Sequence, residues 1–226
     1  MKRFLVFLLL SPAFSQAQIW AGFSGGLSFT TVNPHEKYTI EQSSRVTSAH
    51  GKDFGITFSG DLTNQIRFLG RLTYNKTEAD VFHRYIEVQG LENYTIGNVN
   101  SQYLGLYLAP QWHKGNKVEF VYGLGFYSGF KMSGTLTGQK YTVKDGKESS
   151  KLIMENDAED SYRNLATGLF TTVGFNFKIS PKLQANLNAD VILFLNAKNL
   201  IFEDTGSVNE INLRFGVSYL FEKREE

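Results

Sequence analysis

Apolar and polar residues alternate with period two through most of this chain, and that pattern restricts it to strands buried on one side. Beyond Asp53, the residues Phe54, Ile56, Phe58 and Leu62 are separated by Gly55, Thr57, Ser59 and Asp61. After a short turn at 63–65, Ile66, Phe68, Leu72 and Tyr74 form one face, and Arg67, Arg71, Thr73 and Asn75 the other. Successive side chains of a strand point to opposite faces, so each segment has a greasy side and a polar side. A turn centred on Asn64 would set Asp61 against Arg67, Thr57 against Arg71, Leu62 against Ile66 and Phe54 against Tyr74.

The same hairpin recurs twice. Leu104, Leu106, Leu108 and Trp112 precede a turn at 113–116, and Val118, Phe120, Tyr122, Leu124, Phe126 and Phe130 follow it. Leu165, Leu169, Val173, Phe175, Phe177 and Ile179 precede a turn at 180–182 that contains Pro181. Leu183, Ala185, Leu187, Ala189, Val191 and Leu193 follow that turn. Single alternating segments near 19–30 and 211–221 close the two ends, which gives about eight strands. The connections alternate in length. Those near 63–65, 113–116 and 180–182 are tight, whereas 33–51, 78–98, 133–161 and 196–207 are long and polar. Pro110 interrupts one strand, and its missing N–H predicts a bulge there.

Two observations decide which solvent the greasy face meets. No segment past the N-terminus carries 18 consecutive apolar residues, so a membrane-spanning chain of this kind must close into a barrel. Residues 1–17 read as a cleaved export signal. Lys2 and Arg3 are followed by an apolar run at 4–10, and Ser15 and Ala17 are small residues two apart, which predicts cleavage after about Ala17. The expectation is therefore two segments, 1–17 as signal peptide and 18–226 as one all-β domain. That domain is an eight-stranded antiparallel up-and-down transmembrane barrel in the cell outer membrane, with short periplasmic turns and long extracellular loops.

The faces follow. Asp53, Asp61, Arg67, Arg71, Glu119, Lys131, Lys178, Asp190 and Arg214 share the polar side with Gly, Ser, Thr, Asn and Tyr. Small residues mixed with balanced charge fit the narrow interior of an eight-strand barrel, which side chains fill. The expected lipid-facing residues are Phe54, Phe58, Phe68, Leu106, Phe120, Val173, Phe175, Leu187 and Phe215. Trp112, Tyr219 and Phe221 would sit at one membrane interface and Tyr74 at the other. A soluble barrel would reverse the two faces.

Chemistry is harder to find. The net charge is +1, which gives no footprint for nucleic acid, and the absence of Cys excludes disulfides and thiolate metal sites. The four His residues, His35, His50, His83 and His113, are too scattered for metal-ligand spacing. His50 near Asp53, or His83 near Asp80, would be the candidate acid–base pair of a membrane-embedded hydrolase or acyltransferase. Asp157, Glu159 and Asp160 form an acidic cluster without the glycine of a calcium loop. No catalytic, cofactor or metal residue is assigned on this basis. The expected partners are outer-membrane lipid and a protein bound at the extracellular loops or the barrel wall.

The Gln18–Ile19 start, the glycines Gly22, Gly25 and Gly26 in the first strand, the alternating strands and the Tyr219–Leu220–Phe221 ending resemble the small outer-membrane β-barrels of Bacteroidota. These include the PorT-like group and related outer-membrane β-barrel domains. The chain departs from the usual aromatic terminus by continuing through residues 222–226. The resemblance implies an outer-membrane location and, through PorT-like members, a non-enzymatic interaction or accessory role in protein secretion.

Overall fold

The computed structural model describes residues 18–32, 42–87, 91–144, 147–157, 165–195 and 208–222. The expected signal peptide lies outside the described residues. Nine antiparallel strands are found among these described residues: β1 (Ile19–Val32), β2 (Gln42–Asp61), β3 (Ile66–Glu87), β4 (Leu91–Gly115), β5 (Val118–Lys144), β6 (Lys147–Asp157), β7 (Leu165–Ser180), β8 (Leu183–Phe194) and β9 (Val208–Glu222). Eight of them close a ring in the order β4-β3-β2-β1-β9-β8-β7-β5, completed by pairing of β4 with β5. β6 stands outside the ring and, among the described residues, pairs with the far part of β5, from Thr135 to Lys144.

The first hairpin takes the register expected from its turn, with Asp61 opposite Arg67, Thr57 opposite Arg71 and Phe54 opposite Tyr74. The Leu62 N–H donates to the Ile66 carbonyl at 2.8 Å, and Thr63 Oγ1 accepts from the Gln65 and Ile66 N–H groups at 3.2 and 3.0 Å. The second hairpin turns at Gly115, whose φ of 132° lies in the left-handed region that only glycine adopts without strain. The third needs two residues, Pro181 and Lys182, between the paired Ser180 and Leu183.

Pro110 makes no bulge. It pairs with Phe68 on β3, and the β4–β5 register is the same on both sides of it, from Leu108 with Phe126 to Gln111 with Gly123. The missing N–H leaves only a gap in pairing toward β5 at 109–110. The β4–β5 register shift lies instead between Gln102 and Tyr103, where Met132 is the extra residue on β5.

The long polar connections are the larger correction. Residues 42–51, 78–87, 91–98, 133–144 and 147–157 are strands, not loops. β2 through β6 run on past the ring as a raised five-stranded sheet, in which β3 pairs with β4 without interruption from Ile66–Trp112 to Glu87–Leu91. Polarity on both faces reads as loop in the sequence, yet Thr, Val, Ile and Tyr are frequent in these segments and favour extended backbone. The expected loop at 196–207 lies outside the described residues.

Polarity is inverted relative to a water-soluble protein. Phe23, Phe54, Phe58, Leu124, Phe126, Phe130, Phe215 and Phe221 are each more than half exposed on the outside of the ring. Arg67, Arg71, Asp190 and Arg214 are at most 2% exposed inside it. The outward positions of the ring from Phe68 to Tyr74 on β3 and from Leu104 to Trp112 on β4 carry no charge. Nine residues from 104 to 112 match the roughly 9–11 needed for a tilted strand to cross a bilayer.

Candidate functional site: the filled interior and the raised sheet

Inward parity on eight strands brings the charged residues into the barrel, and the structure sorts them into two clusters. The central cluster is built from β2, β3, β4, β8 and β9. Arg214 pairs with both Asp53 and Asp190, and Arg71 reaches Asp190 at 2.5 Å. Arg214 Nη2 donates to the Tyr107 hydroxyl at 2.8 Å, and its guanidinium lies 4.7 Å from the centre of that ring. Arg71 lies 5.5 Å from the same ring. Tyr107 thus separates two guanidiniums that would otherwise repel across a dry interior, by cation–π attraction to each.

The second cluster fills the short-turn end. Arg67 joins Asp61 to Glu119, at 3.5 Å from the latter, and Lys178 closes on Glu119 at 2.8 Å. Asn176 reaches Glu119 at 3.5 Å and accepts from Asn186 at 2.8 Å, which accepts in turn from Ser218 at 2.8 Å. His113 Nε2 lies 3.8 Å from Asp61. Asp61, His113, Glu119 and Lys178, with Gln18, line a mouth cavity of about 260 Å³. Between the clusters, among the described residues, lies a cavity of about 30 Å³ lined by Ser24, Thr57, Arg67, Arg71, Gln111 and Asn188 among others. That is room for one or two waters, not a pore.

Of the nine polar-face residues expected from the sequence, eight enter these clusters: Asp53, Arg71, Asp190 and Arg214 in one, Asp61, Arg67, Glu119 and Lys178 in the other. Lys131 belongs to neither. It lies on the inner side of β5 opposite Tyr103, toward the raised sheet. The sequence reading missed the interior aromatics. Tyr103, Tyr107, Tyr127, Phe170 and Ile192 pack as a buried cluster, with Phe194 against it. Tyr107 meets Tyr127 at 4.8 Å and Phe170 edge-on at 5.1 Å. Trp20 is also turned inward, 6.0 Å from the Arg67 guanidinium. Parity was the available signal: Trp20, Phe170 and Ile192 fall between the outward residues of their own strands.

Every expected lipid-facing residue lies on the outside. Phe54, Phe58, Leu106, Phe120, Val173, Phe175, Leu187 and Phe215 are exposed and Phe68 half-exposed. Trp112, Tyr219 and Phe221 gather at the short-turn rim, with Trp112 stacked on Tyr122 at 6.0 Å and Tyr219 edge-on to Phe221 at 5.5 Å. Tyr74 ends the greasy band at the other rim, where Lys76 and Glu78 follow it outward and pair at 2.9 Å.

The expected His50–Asp53 pair does not assemble. His50 points outward opposite Glu78, whereas Asp53 points inward to Arg214. An odd separation of three residues on one strand forces the two apart. His35, Glu159 and Asp160, and the side chains of His83 and Asp157, lie outside what the structure describes.

Above the rim, the outward face of the raised sheet has its own chemistry. Arg84 on β3 pairs with Glu92 on β4 at 2.8 Å, and Tyr94 donates its hydroxyl to the same carboxylate. Tyr94 stacks on Tyr141 of β5 at 5.4 Å and meets Phe82 at 6.1 Å. Ile96 and Ile153 are exposed beside them, at 46% and 78%. The Tyr94 hydroxyl and the Arg84 guanidinium hold the Glu92 carboxyl below its ordinary value.

Solved structures similar to this chain include three small outer-membrane proteins. Ail, the attachment invasion locus protein of Yersinia pestis, is 12% identical with a TM-score of 0.40, over 90% of this chain and 99% of that one; it was solved with the heparin analogue sucrose octasulfate. Neisserial surface protein A is 12% identical with a TM-score of 0.44, over 90% and 97%. OprG of Pseudomonas aeruginosa is 11% identical with a TM-score of 0.43, over 92% and 97%. No family model matches the sequence, and no curated protein matches it. Likenesses this distant carry no role across to this chain.

Proposed function

We propose that this chain is an exported outer-membrane β-barrel that does not conduct, and that it anchors its raised sheet as a binding surface for a protein partner. The observation that supports the membrane reading is the inverted polarity: an uncharged, aromatic-rimmed outside around an interior filled with paired charge. A closed ring has no unpaired edge to expose to lipid. The N-terminal Lys2–Arg3 start, the apolar run and Ser15–Ala17 support export.

The binding role rests on the raised sheet. A chain that only needed to span a bilayer could stop near Tyr74 and Leu104. β3 instead runs to Glu87, roughly 40 Å further along the strand. That extension ends in a sheet whose outer strand β6 pairs, among the described residues, on one side only, beside exposed Ile96 and Ile153. Unpaired edges and exposed apolar patches are what extended partners dock on. The sequence resemblance to PorT-like barrels makes protein secretion the process of first interest. The test is site-specific photocrosslinking in intact cells from Ile153, compared with Phe215 in the barrel wall. A discrete adduct from position 153 that disappears with Ile96→Asp supports the role. Recovery of the mature chain as a soluble periplasmic protein, or adducts equally strong from both sites and insensitive to Ile96→Asp, would overturn it.

A further inference from the structure

β6 carries a charge pattern that is complementary to itself. Lys147 and Lys151 lie in its first half, Leu152, Ile153 and Met154 at its centre, and Glu155 and Asp157 in its second half. Glu148, beside the hairpin tip, is the exception. Antiparallel pairing sets the first half of one strand against the second half of its neighbour. A strand with both signs of charge segregated in this way therefore attracts a second copy of itself. An edge guarded by charge of one sign repels such a copy.

The centre of this strand lacks apolar cover. Leu152 is 61% exposed and Ile153 78%. As consecutive residues of a strand they point to opposite faces of the sheet. On β5 they stand opposite Lys140 and Gln139, which give neither an apolar neighbour across the pair. Lipid does not reach them, because the greasy face of β5 ends at Met132, roughly 20 Å before Gln139 along the strand. Among the described residues β6 pairs with β5 alone, so a strand added on its other side would cover both faces at once.

One register of a self-pair satisfies the whole pattern. Centred on Ile153, it sets Ile153 opposite its own copy, Leu152 opposite Met154 and Lys151 opposite Glu155. The last two pairs each occur twice. Centring on Lys151 would oppose like charges. Centring on Leu152 would set Lys151 against Ile153 and Glu155 against Ser149. Opposite charges and apolar residues placed directly across from one another stabilise a ladder, and like charges weaken it.

We propose that β6 pairs edge to edge with β6 of a second copy of this chain, centred on Ile153, and that this copy stands in a facing membrane. The inference rests on the docking role proposed above for the raised sheet and names its partner. The twofold axis that relates two antiparallel strands is normal to their sheet. β5 runs as one strand from the barrel wall into the raised sheet. That axis is therefore perpendicular to the strands that cross the bilayer, and it turns the second barrel end for end. Two barrels in one membrane point the same way and cannot meet so, whereas barrels in two apposed membranes can. The contact is isologous and closes at two copies. The raised sheet then acts as a homotypic adhesion module between cells.

The natural chain has no Cys, so a single Ile153→Cys reports self-pairing without background. The mature variant folded in micelles should give a disulfide-linked dimer on non-reducing gels, and Lys117→Cys at the short-turn end should not. Phospholipid vesicles bearing the natural chain should cluster, as read by light scattering. Vesicles bearing Lys151→Glu alone, or Glu155→Lys alone, should lose that clustering, and a mixture of the two populations should regain it. Each variant supplies the charge that the other lacks, and the compact band on unheated gels shows that both are folded. Disulfide dimers without vesicle clustering would overturn the facing-membrane arrangement. Clustering that survives either single reversal, or does not return on mixing, would overturn the self-pair. Photocrosslinking in cells from position 153 separates the two readings. An adduct with a different protein and none with this chain would end self-pairing and leave the docking role standing. No adduct of any kind would remove both.

Discussion

Asp190 joins β3 to β9 through a single carboxylate oxygen, which accepts from Arg71 and from Arg214. Replacing it with alanine takes the carboxylate partner from Arg71 and leaves Arg214 with Asp53, in an interior where neither guanidinium is more than 2% exposed. Removing one partner of a buried ion pair costs about 3–5 kcal/mol. Asp190→Ala should therefore lower the urea midpoint of the folded chain far more than a surface substitution such as Lys117→Ala, as measured in micelles. On the other face, Leu106→Arg puts a charge in the middle of the greasy band at a cost of about 2–4 kcal/mol. Asn186→Ala removes hydrogen bonds to Asn176 and Ser218, worth about 1 kcal/mol each. Insertion into liposomes should fail for Leu106→Arg and persist for Asn186→Ala. Equal tolerance would mean that the faces are reversed.

Two kinds of element share the same strands. The lower halves of β2 to β5 belong to the ring, and the upper halves form the raised sheet. Substituting a short Asn-Gly turn for residues 80–98 should leave a barrel that still folds. The check is retention of the compact band on unheated gels. The upper hairpin also carries a pH dependence of its own. Glu92 is held below its ordinary value first by the Tyr94 hydroxyl and then by Arg84. A carboxylate with a lowered folded value adds stability above its unfolded value, and loses it as pH falls through the folded value. Amide exchange at the β3–β4 tip should therefore accelerate in acid more than exchange in the ring, and Glu92→Gln should remove that difference. The effect is small, because the group is exposed and screened by solvent.

At the scale of the molecule, closure and filling together set the behaviour. Eight strands leave an interior that side chains can occupy, and Arg214, Tyr107, Phe170, Ile192 and Gln184 occupy it almost completely. Planar-bilayer recordings of the purified chain should show no stable conductance steps, and boiling before electrophoresis should slow its migration. A steady open channel would contradict a filled interior.

The alternation of residues was enough to determine the strands of the ring, their short turns and the sorting of residues between the faces. Period-two patterning is a local property, and a slip of one residue would put Arg71 and Asp190 outside and Phe58 inside. What local pattern could not hold is which inward residues meet across the barrel. Arg71 and Asp190 are 119 positions apart, and Arg214 and Asp53 are 161 apart. Only closure of β4 on β5 fixes those distances, and with them the two ion clusters and the Tyr107 wedge. The raised sheet was hidden for a related reason. Its segments are polar on both faces, so no burial pattern marks them as strands. They become strands because the ring below holds their neighbours in register and extends the ladder upward one hydrogen-bonded pair at a time.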